Sequence, residues 1–187
     1  MEFANIEEII KNGADVIIKE YQNLKKLKNI PNPEVYHFSG YNKKRLNELQ
    51  GKFDKSWTNV IYIFSAEKLP AICSNVEKIK AKFAEINAKS KCMPKINRNN
   101  WGETNQYIHY LYVGSCKAKP NERMSEHLCN SANTTYALHL KEWWIGEEEF
   151  NVDVFVFGES LSNGNLQIIE DLIWKHFKPL FGRLGHK

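Results

Sequence analysis

A chain of 187 residues, 42% hydrophobic and 26% charged, has the length and composition of a folded domain with one buried core. Its formal net charge of +4 permits a polyanionic partner but does not require one. The apolar runs are only a few residues long, which excludes a membrane-spanning helix. The polar N-terminus lacks the apolar core of a signal peptide, so we expect a cytoplasmic protein.

The cysteines give no sign of a metal site. Cys73, Cys92, Cys116 and Cys129 form no C-x-x-C pair, and no group of cysteines and histidines has zinc-finger spacing. Thiols in a cytoplasmic protein stay reduced, and we expect these to be buried as small apolar residues.

The N-terminal third is predicted to be partly helical. Apolar residues recur at helical spacing over residues 3–28, and Pro31 and Pro33 end the pattern. The lysines at the end of this helix are either solvated or contact phosphate. Residues 34–58 fit either a short strand with helical turns or a loop. We interpret residues 1–58 together as an N-terminal helical arm.

Three segments rich in β-branched and aromatic residues predict strands, at residues 59–64, 107–113 and 151–157. Helical spacing predicts a helix over residues 71–88, between the first two strands. The polar, basic stretch at residues 89–106 follows it. A structureless loop of that length is uncommon in a compact domain unless it has a function, so this stretch is a candidate ligand contact.

Further helices are predicted at residues 120–130, 134–145 and 165–177. The fold class is therefore α/β, with a small three-stranded, mostly antiparallel central sheet flanked by helices. The core would span residues 59–187, with an insertion at residues 66–106.

Several polar side chains that could take part in catalysis are expected to lie close together in this arrangement. Side chains alternate across a strand, so Tyr62 and Tyr112 would share a face if the first two strands pair. Arg123 and His127 are four residues apart and therefore lie on one face of their helix. Glu170 lies beside the apolar stripe of the last helix. These five side chains are the candidate active site.

The order of these features resembles the GIY-YIG nuclease family. Val60-Ile61-Tyr62 matches the first half-motif, with valine in place of the family's glycine, and Tyr112-Val113-Gly114 matches the second. Arg123 lies nine residues after Gly114, and Glu170 precedes a closing proline, Pro179. The resemblance covers about residues 59–182 and implies a nuclease fold with these residues at its site.

That resemblance implies metal-dependent hydrolysis of a phosphodiester. Glu170 would bind Mg²⁺ or Mn²⁺ with phosphate oxygens and waters, and Arg123 would bind a non-bridging phosphate oxygen. Tyr62 would orient the attacking water, or deprotonate it if nearby cations acidify the phenol. Tyr112 would position the phosphate.

The resemblance also involves two further residues, and the sequence differs from the family pattern in two ways. His127 would share the proton role, and Lys117 resembles a lysine placed after the second half-motif in some restriction-type members. The linker between the half-motifs is long, as in restriction-type members with insertions. Gly182 stands where the family often has an asparagine.

The first hypothesis is therefore a metal-dependent DNA endonuclease of restriction type. A homodimer would account for cleavage of both strands at a palindromic site. The second hypothesis is a nucleic-acid-binding module that has lost cleavage, which the altered first half-motif and Gly182 favour. A third is a nuclease of the same fold that acts on RNA or on branched structures.

Overall fold

The computed structural model describes residues 15–16, 18–19, 21–25, 31–32, 34–39, 52–88, 92–101, 108–128, 136–145 and 147–185. Within these residues the fold is α/β, with helices on both faces of one antiparallel sheet. Among them, no helix is both long and apolar enough to cross a membrane.

The part of the chain that the structure describes forms a sheet of four strands, so the expectation of three is wrong. The strands are β1 (Glu34–Ser39), β2 (Val60–Ala66), β3 (His109–Cys116) and β4 (Glu149–Val156), and their order across the sheet is β1-β4-β2-β3. Every pairing is antiparallel. The extra strand comes from the segment that fitted either a strand or a loop.

Strand β1 forms because β4 offers it a partner along its whole length. Its six residues pair with β4 from Glu34 opposite Val154 to Ser39 opposite Glu149. The strand lies at the edge of the sheet, and its six residues are half apolar and half polar, a pattern that also fits a loop. Hydrogen bonding to β4, which is distant in the sequence, therefore makes this segment a strand.

One face of the sheet carries the larger core. It is covered by helices α1 (Val76–Asn87), α2 (Pro120–Leu128) and the short α3 (Leu140–Trp143). The predictions at 71–88 and 120–130 are confirmed over most of their length, with α1 preceded by a 3-10 turn at Ala71–Ser74.

The helix predicted at residues 134–145 is wrong at residues 136–139, which have no regular structure. Two local features explain this. His139 adopts a left-handed conformation, with φ of 47°, which interrupts a helix. The Leu138 N–H donates to the His127 ring instead of to a helical carbonyl.

The opposite face carries a smaller core beneath helix α4 (Asn163–Phe177), which confirms the prediction at residues 165–177. Ser162 caps this helix by accepting a hydrogen bond from the Asn165 N–H at 3.2 Å. Leu24 also packs on this core, from the described helical residues of the predicted N-terminal helix. The remainder of that prediction lies outside the described residues.

The free edge of β3 is covered by chain from two distant regions. The N–H groups of Leu180 and Phe181 donate to the Tyr110 and Leu111 carbonyls, both at 2.9 Å. The Gly182 N–H then donates to the Lys95 carbonyl at 2.9 Å. The C-terminal segment therefore covers the sheet edge, and Lys95 in the predicted insertion pairs with that segment. The rest of the stretch at 89–106 lies outside the described residues.

Candidate active site

The two motif tyrosines lie on one face of the β2–β3 pair. Tyr62 faces Gly114 across the ladder, and Phe64 faces Tyr112. The rings of Tyr62 and Tyr112 are nearly parallel, at 14°, with centroids 6.4 Å apart. The His127 ring lies 4.9 Å from the Tyr112 ring and 5.2 Å from the Tyr62 ring. Strand pairing thus gathers three rings from three elements.

Gly114 is the position that lets these rings meet. A Cβ atom there would lie 2.6 Å from Cε1 of Tyr112 and 2.7 Å from the Tyr62 hydroxyl. Tyr62 has no exposed surface, so its ring has little room to move aside. The close approach of the two phenol rings therefore requires glycine at this position.

Arg123 ties the tyrosines to the surrounding chain. Its Nε donates to the Tyr62 hydroxyl at 3.1 Å, and its Nη1 donates to the Glu126 carboxylate at 2.5 Å. Its Nη2 donates to the Tyr136 carbonyl at 2.8 Å. The guanidinium is therefore held by protein groups on several sides, and a phosphate would compete with Glu126 for it.

The hydrogen bonds of His127 assign its tautomer. The Leu138 N–H donates to Nδ1 at 3.1 Å, so this nitrogen carries no proton. In the neutral ring the proton then lies on Nε2, which is 3.1 Å from the Tyr62 hydroxyl. Burial lowers the pKa of His127 well below its usual value, and the charges of Arg123 and His139 lower it further. The ring is therefore neutral and donates to Tyr62.

The Tyr62 hydroxyl thus accepts hydrogen bonds from two N–H groups. Burial raises the pKa of Tyr62 well above its usual value, although Arg123 lowers it. The acidification that a general base would need is therefore outweighed by burial, and the phenol stays protonated. The hydroxyl oxygen therefore accepts from Arg123 and His127, and the hydroxyl keeps its own proton.

Glu170 approaches the site from α4, the helix on the opposite face of the sheet. The Ser115 hydroxyl, next to Gly114 on β3, donates to Oε2 of Glu170. Burial raises the pKa of Tyr112, Arg123 lowers it, and the charge of Glu170 raises it again. The carboxylate therefore acts electrostatically on Tyr112 across the edge strand.

Lys117 follows the end of β3, in the turn that leads to α2. Its side chain is exposed, and its carbonyl accepts a hydrogen bond from the Asn59 N–H at 3.0 Å. The structure therefore places Lys117 at the surface, whereas it packs Tyr62, Tyr112, Arg123 and His127 together.

Gly182 has a backbone conformation and a close neighbour that both favour glycine. Its φ of +103° is one that side chains rarely adopt, and a Cβ there would lie 3.1 Å from Cε2 of Tyr112. The indole Nε1 of Trp174, 3.7 Å from that Cβ position, is buried without a hydrogen-bond partner among the described residues. Glycine allows the C-terminal segment to pass against Tyr112.

The donor set fits a Mg²⁺ site built on a single carboxylate. Among the described residues, no group of three or more histidine, cysteine, aspartate or glutamate side chains is arranged to hold a metal. Mg²⁺ often takes one or two protein carboxylates and completes its shell with waters and substrate phosphates. Glu170, oriented by Ser115, is a suitable ligand of that kind.

Three residues that contact the candidate site were not recognised in the sequence. Glu126 lies three residues after Arg123 on one helix, a spacing that could have revealed their ion pair. Tyr136 contacts Arg123 through its backbone carbonyl, so no side-chain pattern could have revealed it. Ser115 meets Glu170 only through the packing of α4 on β3.

Comparisons of the chain with models of protein families, with curated proteins and with solved structures found no match.

Proposed function

We propose that this protein is a metal-dependent DNA endonuclease of the GIY-YIG type that hydrolyses phosphodiester bonds in the manner of a restriction enzyme. The observation that carries the proposal is the cluster of Tyr62, Arg123 and His127 packed against Tyr112. Gly114 is sterically required at its centre. The residues of the two half-motifs therefore pack against each other in the structure.

Each side chain has a role that follows from its contacts. Arg123 binds a non-bridging phosphate oxygen, which takes the place of the Glu126 carboxylate. Tyr62 donates its proton to the phosphate or to the attacking water, and so orients it. His127 holds the Tyr62 oxygen in place. Tyr112, nearer the surface, positions the phosphate, and Lys117 would contribute a positive charge from the protein surface.

Glu170 would hold the divalent ion, Mg²⁺ or Mn²⁺, with Ser115 fixing the carboxylate. A bound ion would neutralise charge that develops on the phosphate and the leaving oxygen.

Cleavage of both strands at a symmetric site would take a homodimer or two successive nicks. Desolvation raises the pKa of the buried Cys73 thiol and of the half-buried Cys116 thiol to about 12, which keeps both unreactive and suits a cytoplasmic protein.

A second candidate is a nucleic-acid-binding module without cleavage. The complete burial of Tyr62 and the ion pair between Arg123 and Glu126 favour it, because both keep the site closed to a phosphate. Activity on RNA or on branched structures is a variant of the first candidate, since the groups of the site contact phosphate and not the sugar.

The test is incubation of the purified protein with plasmid and linear DNA, in Mg²⁺ and in EDTA. We expect discrete, metal-dependent fragments, and loss of cleavage on the order of a hundredfold or more in Glu170→Gln. Glu77→Gln is the control, because Glu77 is an exposed glutamate that pairs with Arg98 on the surface. Salt-sensitive DNA binding without cleavage in Mg²⁺ or Mn²⁺ would support the binding module instead.

A further inference from the structure

An exposed tyrosine and an exposed arginine meet at the edge of the candidate site. The guanidinium carbon of Arg183 lies over the Tyr136 ring, 5.2 Å from its centroid. Tyr136 is 54% exposed, although a tyrosine ring this size usually buries more of its surface. The two residues are distant in sequence, so the folding of two separate segments brings them together.

Both residues are connected to the site by their neighbours. The Tyr136 carbonyl accepts a hydrogen bond from Arg123, and the Leu138 N–H two residues later holds His127. Arg183 follows Gly182, whose Cβ position lies against the Tyr112 ring. One of the two segments that carry the pair therefore contacts Arg123, and the other packs against Tyr112.

The chemistry of the pair suits a nucleotide better than a protein side chain. An exposed aromatic ring stacks on any base, and an arginine beside it pairs with the adjacent phosphate. A base–aromatic stack is stronger than an exposed cation–π contact, so an incoming base can displace the guanidinium from the ring. The displaced guanidinium then lies next to the strand whose phosphate Arg123 binds.

We propose that Tyr136 and Arg183 form a clamp that holds one unstacked nucleotide of the substrate strand beside the phosphate bound by Arg123. The clamp rests on the proposed function, because it takes Arg123 as the phosphate-binding residue. The clamp would also give the protein a preference for one kind of nucleic-acid substrate. Bases inside a duplex already stack on each other, so the clamp favours a single-stranded, frayed or flipped-out nucleotide.

The chain contains a matched control pair. Tyr21, which is 53% exposed, has the ammonium of Lys25 at 5.2 Å from its ring centroid. Lys25 follows Tyr21 by four residues on one helix, so local helix geometry alone accounts for their contact. That helix packs through Leu24 on the core beneath α4, on the face opposite the tyrosine cluster. Tyr21→Ala therefore removes a matched pair that lies on the face opposite the tyrosine cluster.

The experiment measures binding in EDTA by fluorescence anisotropy, across a series of salt concentrations. The three probes are a short single-stranded DNA, its duplex, and the same single strand made of abasic residues. We expect Tyr136→Ala to weaken binding of the single strand about tenfold, the loss of one base stack, and to leave the duplex and abasic strand unchanged. Tyr136→Phe retains the ring and keeps the affinity.

Arg183→Ala is expected to weaken binding of both the normal and the abasic single strand. It should also reduce the salt dependence of single-strand binding by about 0.7 in log–log slope, the value of one phosphate contact. Arg183→Lys keeps the charge and therefore most of that slope. Tyr21→Ala should bind all three probes as the wild type does.

Plasmid cleavage by the same preparations separates the two proposals. If the wild type cuts DNA and Tyr136→Ala binds single strands as tightly as Tyr21→Ala does, the clamp is wrong and the nuclease stands. If the wild type neither cuts nor binds any probe, both proposals are wrong. An equal loss for single-stranded and duplex probes in Tyr136→Ala would also overturn the clamp, since base stacking would not explain it.

Discussion

The two sides of strand β3 hold their polar groups in different ways. On the tyrosine side, Tyr62 and His127 have no exposed surface, and a network of hydrogen bonds joins them to Arg123. On the carboxylate side, Glu170 and Ser115 are only half-buried and meet through one hydrogen bond between α4 and the strand. One side is assembled like a core, and the other is partly exposed to solvent.

The difference in burial predicts that mutations on the two sides of β3 have different effects. Buried polar groups with complete hydrogen bonding contribute to a single well-ordered arrangement, and the loss of any member leaves its partners unsatisfied. A half-buried carboxylate keeps much of its hydration and can exchange it for a cation at a modest cost. Mutations on the tyrosine side should therefore mainly change stability, and those on the carboxylate side should mainly change metal dependence.

The largest effect is expected from Gly114→Ala, which inserts a methyl group between the two phenol rings. The nearest ring atom would lie 2.6 Å away, and overpacking of this kind costs about 3 kcal/mol at the upper end of its range. Denaturant unfolding measures the loss of stability.

Gly158→Ala is the control, because Gly158 has φ of +64° and open space around its Cβ position. Backbone strain alone should then cost about 1 kcal/mol. If both variants lost the same stability, the close packing of the tyrosine side would be contradicted.

The second effect is a dependence of stability on pH that comes from His127. Its pKa is lowered in the folded protein by burial, Arg123 and His139, whereas the unfolded chain binds a proton near its ordinary value of 6.5. The unfolded state therefore binds more protons at acid pH. The free energy of unfolding should be fully retained above about pH 6.5 and should fall as the pH drops below it, by at most about 1.4 kcal/mol per pH unit.

His127→Gln removes this titration, and its unfolding free energy should change less between pH 6.5 and pH 5 than that of the wild type. His176→Gln, an exposed histidine on α4, serves as the control and should keep the wild-type slope. Nitrogen chemical shifts of the His127 ring test the cause directly. A proton on Nδ1 at neutral pH would contradict the assigned tautomer.

Much of the tyrosine side follows from local sequence patterns. Helical spacing predicted that Arg123 and His127 share a face, and it depends on neighbouring residues only. Strand alternation predicted that Tyr62 and Tyr112 share a face if their strands pair, and the observed register of β2 and β3 supplies that condition. The backbone of Leu138, which fixes the His127 tautomer, was missed because residues 136–139 fitted a helical pattern.

The carboxylate side and strand β1 depend on contacts between distant residues. Ser115 and Glu170 are joined only when α4 packs across β3, and nothing near either residue indicates the bond. In the same way β1 becomes a strand because β4 pairs with it. The sequence placed Glu170 beside the apolar stripe of its helix and the resemblance gave it a role, whereas the residue that orients it required the packed structure.

The smallest effect on stability is expected from Ser115→Ala, which removes the hydrogen bond that orients Glu170. The bond is half-buried and reaches a carboxylate, so its loss should cost about 1 kcal/mol in unfolding free energy. Loss of a residue that orients a metal ligand typically weakens metal affinity by 10-fold to about 100-fold. We therefore expect the Mg²⁺ concentration for half-maximal cleavage to rise roughly tenfold, while cleavage at saturating Mg²⁺ stays close to that of the wild type.

Ser115→Thr separates orientation from packing, because threonine keeps the hydroxyl and suits a strand. It should restore the Mg²⁺ dependence of the wild type. An unchanged Mg²⁺ requirement in Ser115→Ala would mean that Glu170 is oriented without Ser115. A loss of stability as large as that of Gly114→Ala would mean that the carboxylate side, too, is assembled like a core, and the contrast between the two sides of β3 would disappear.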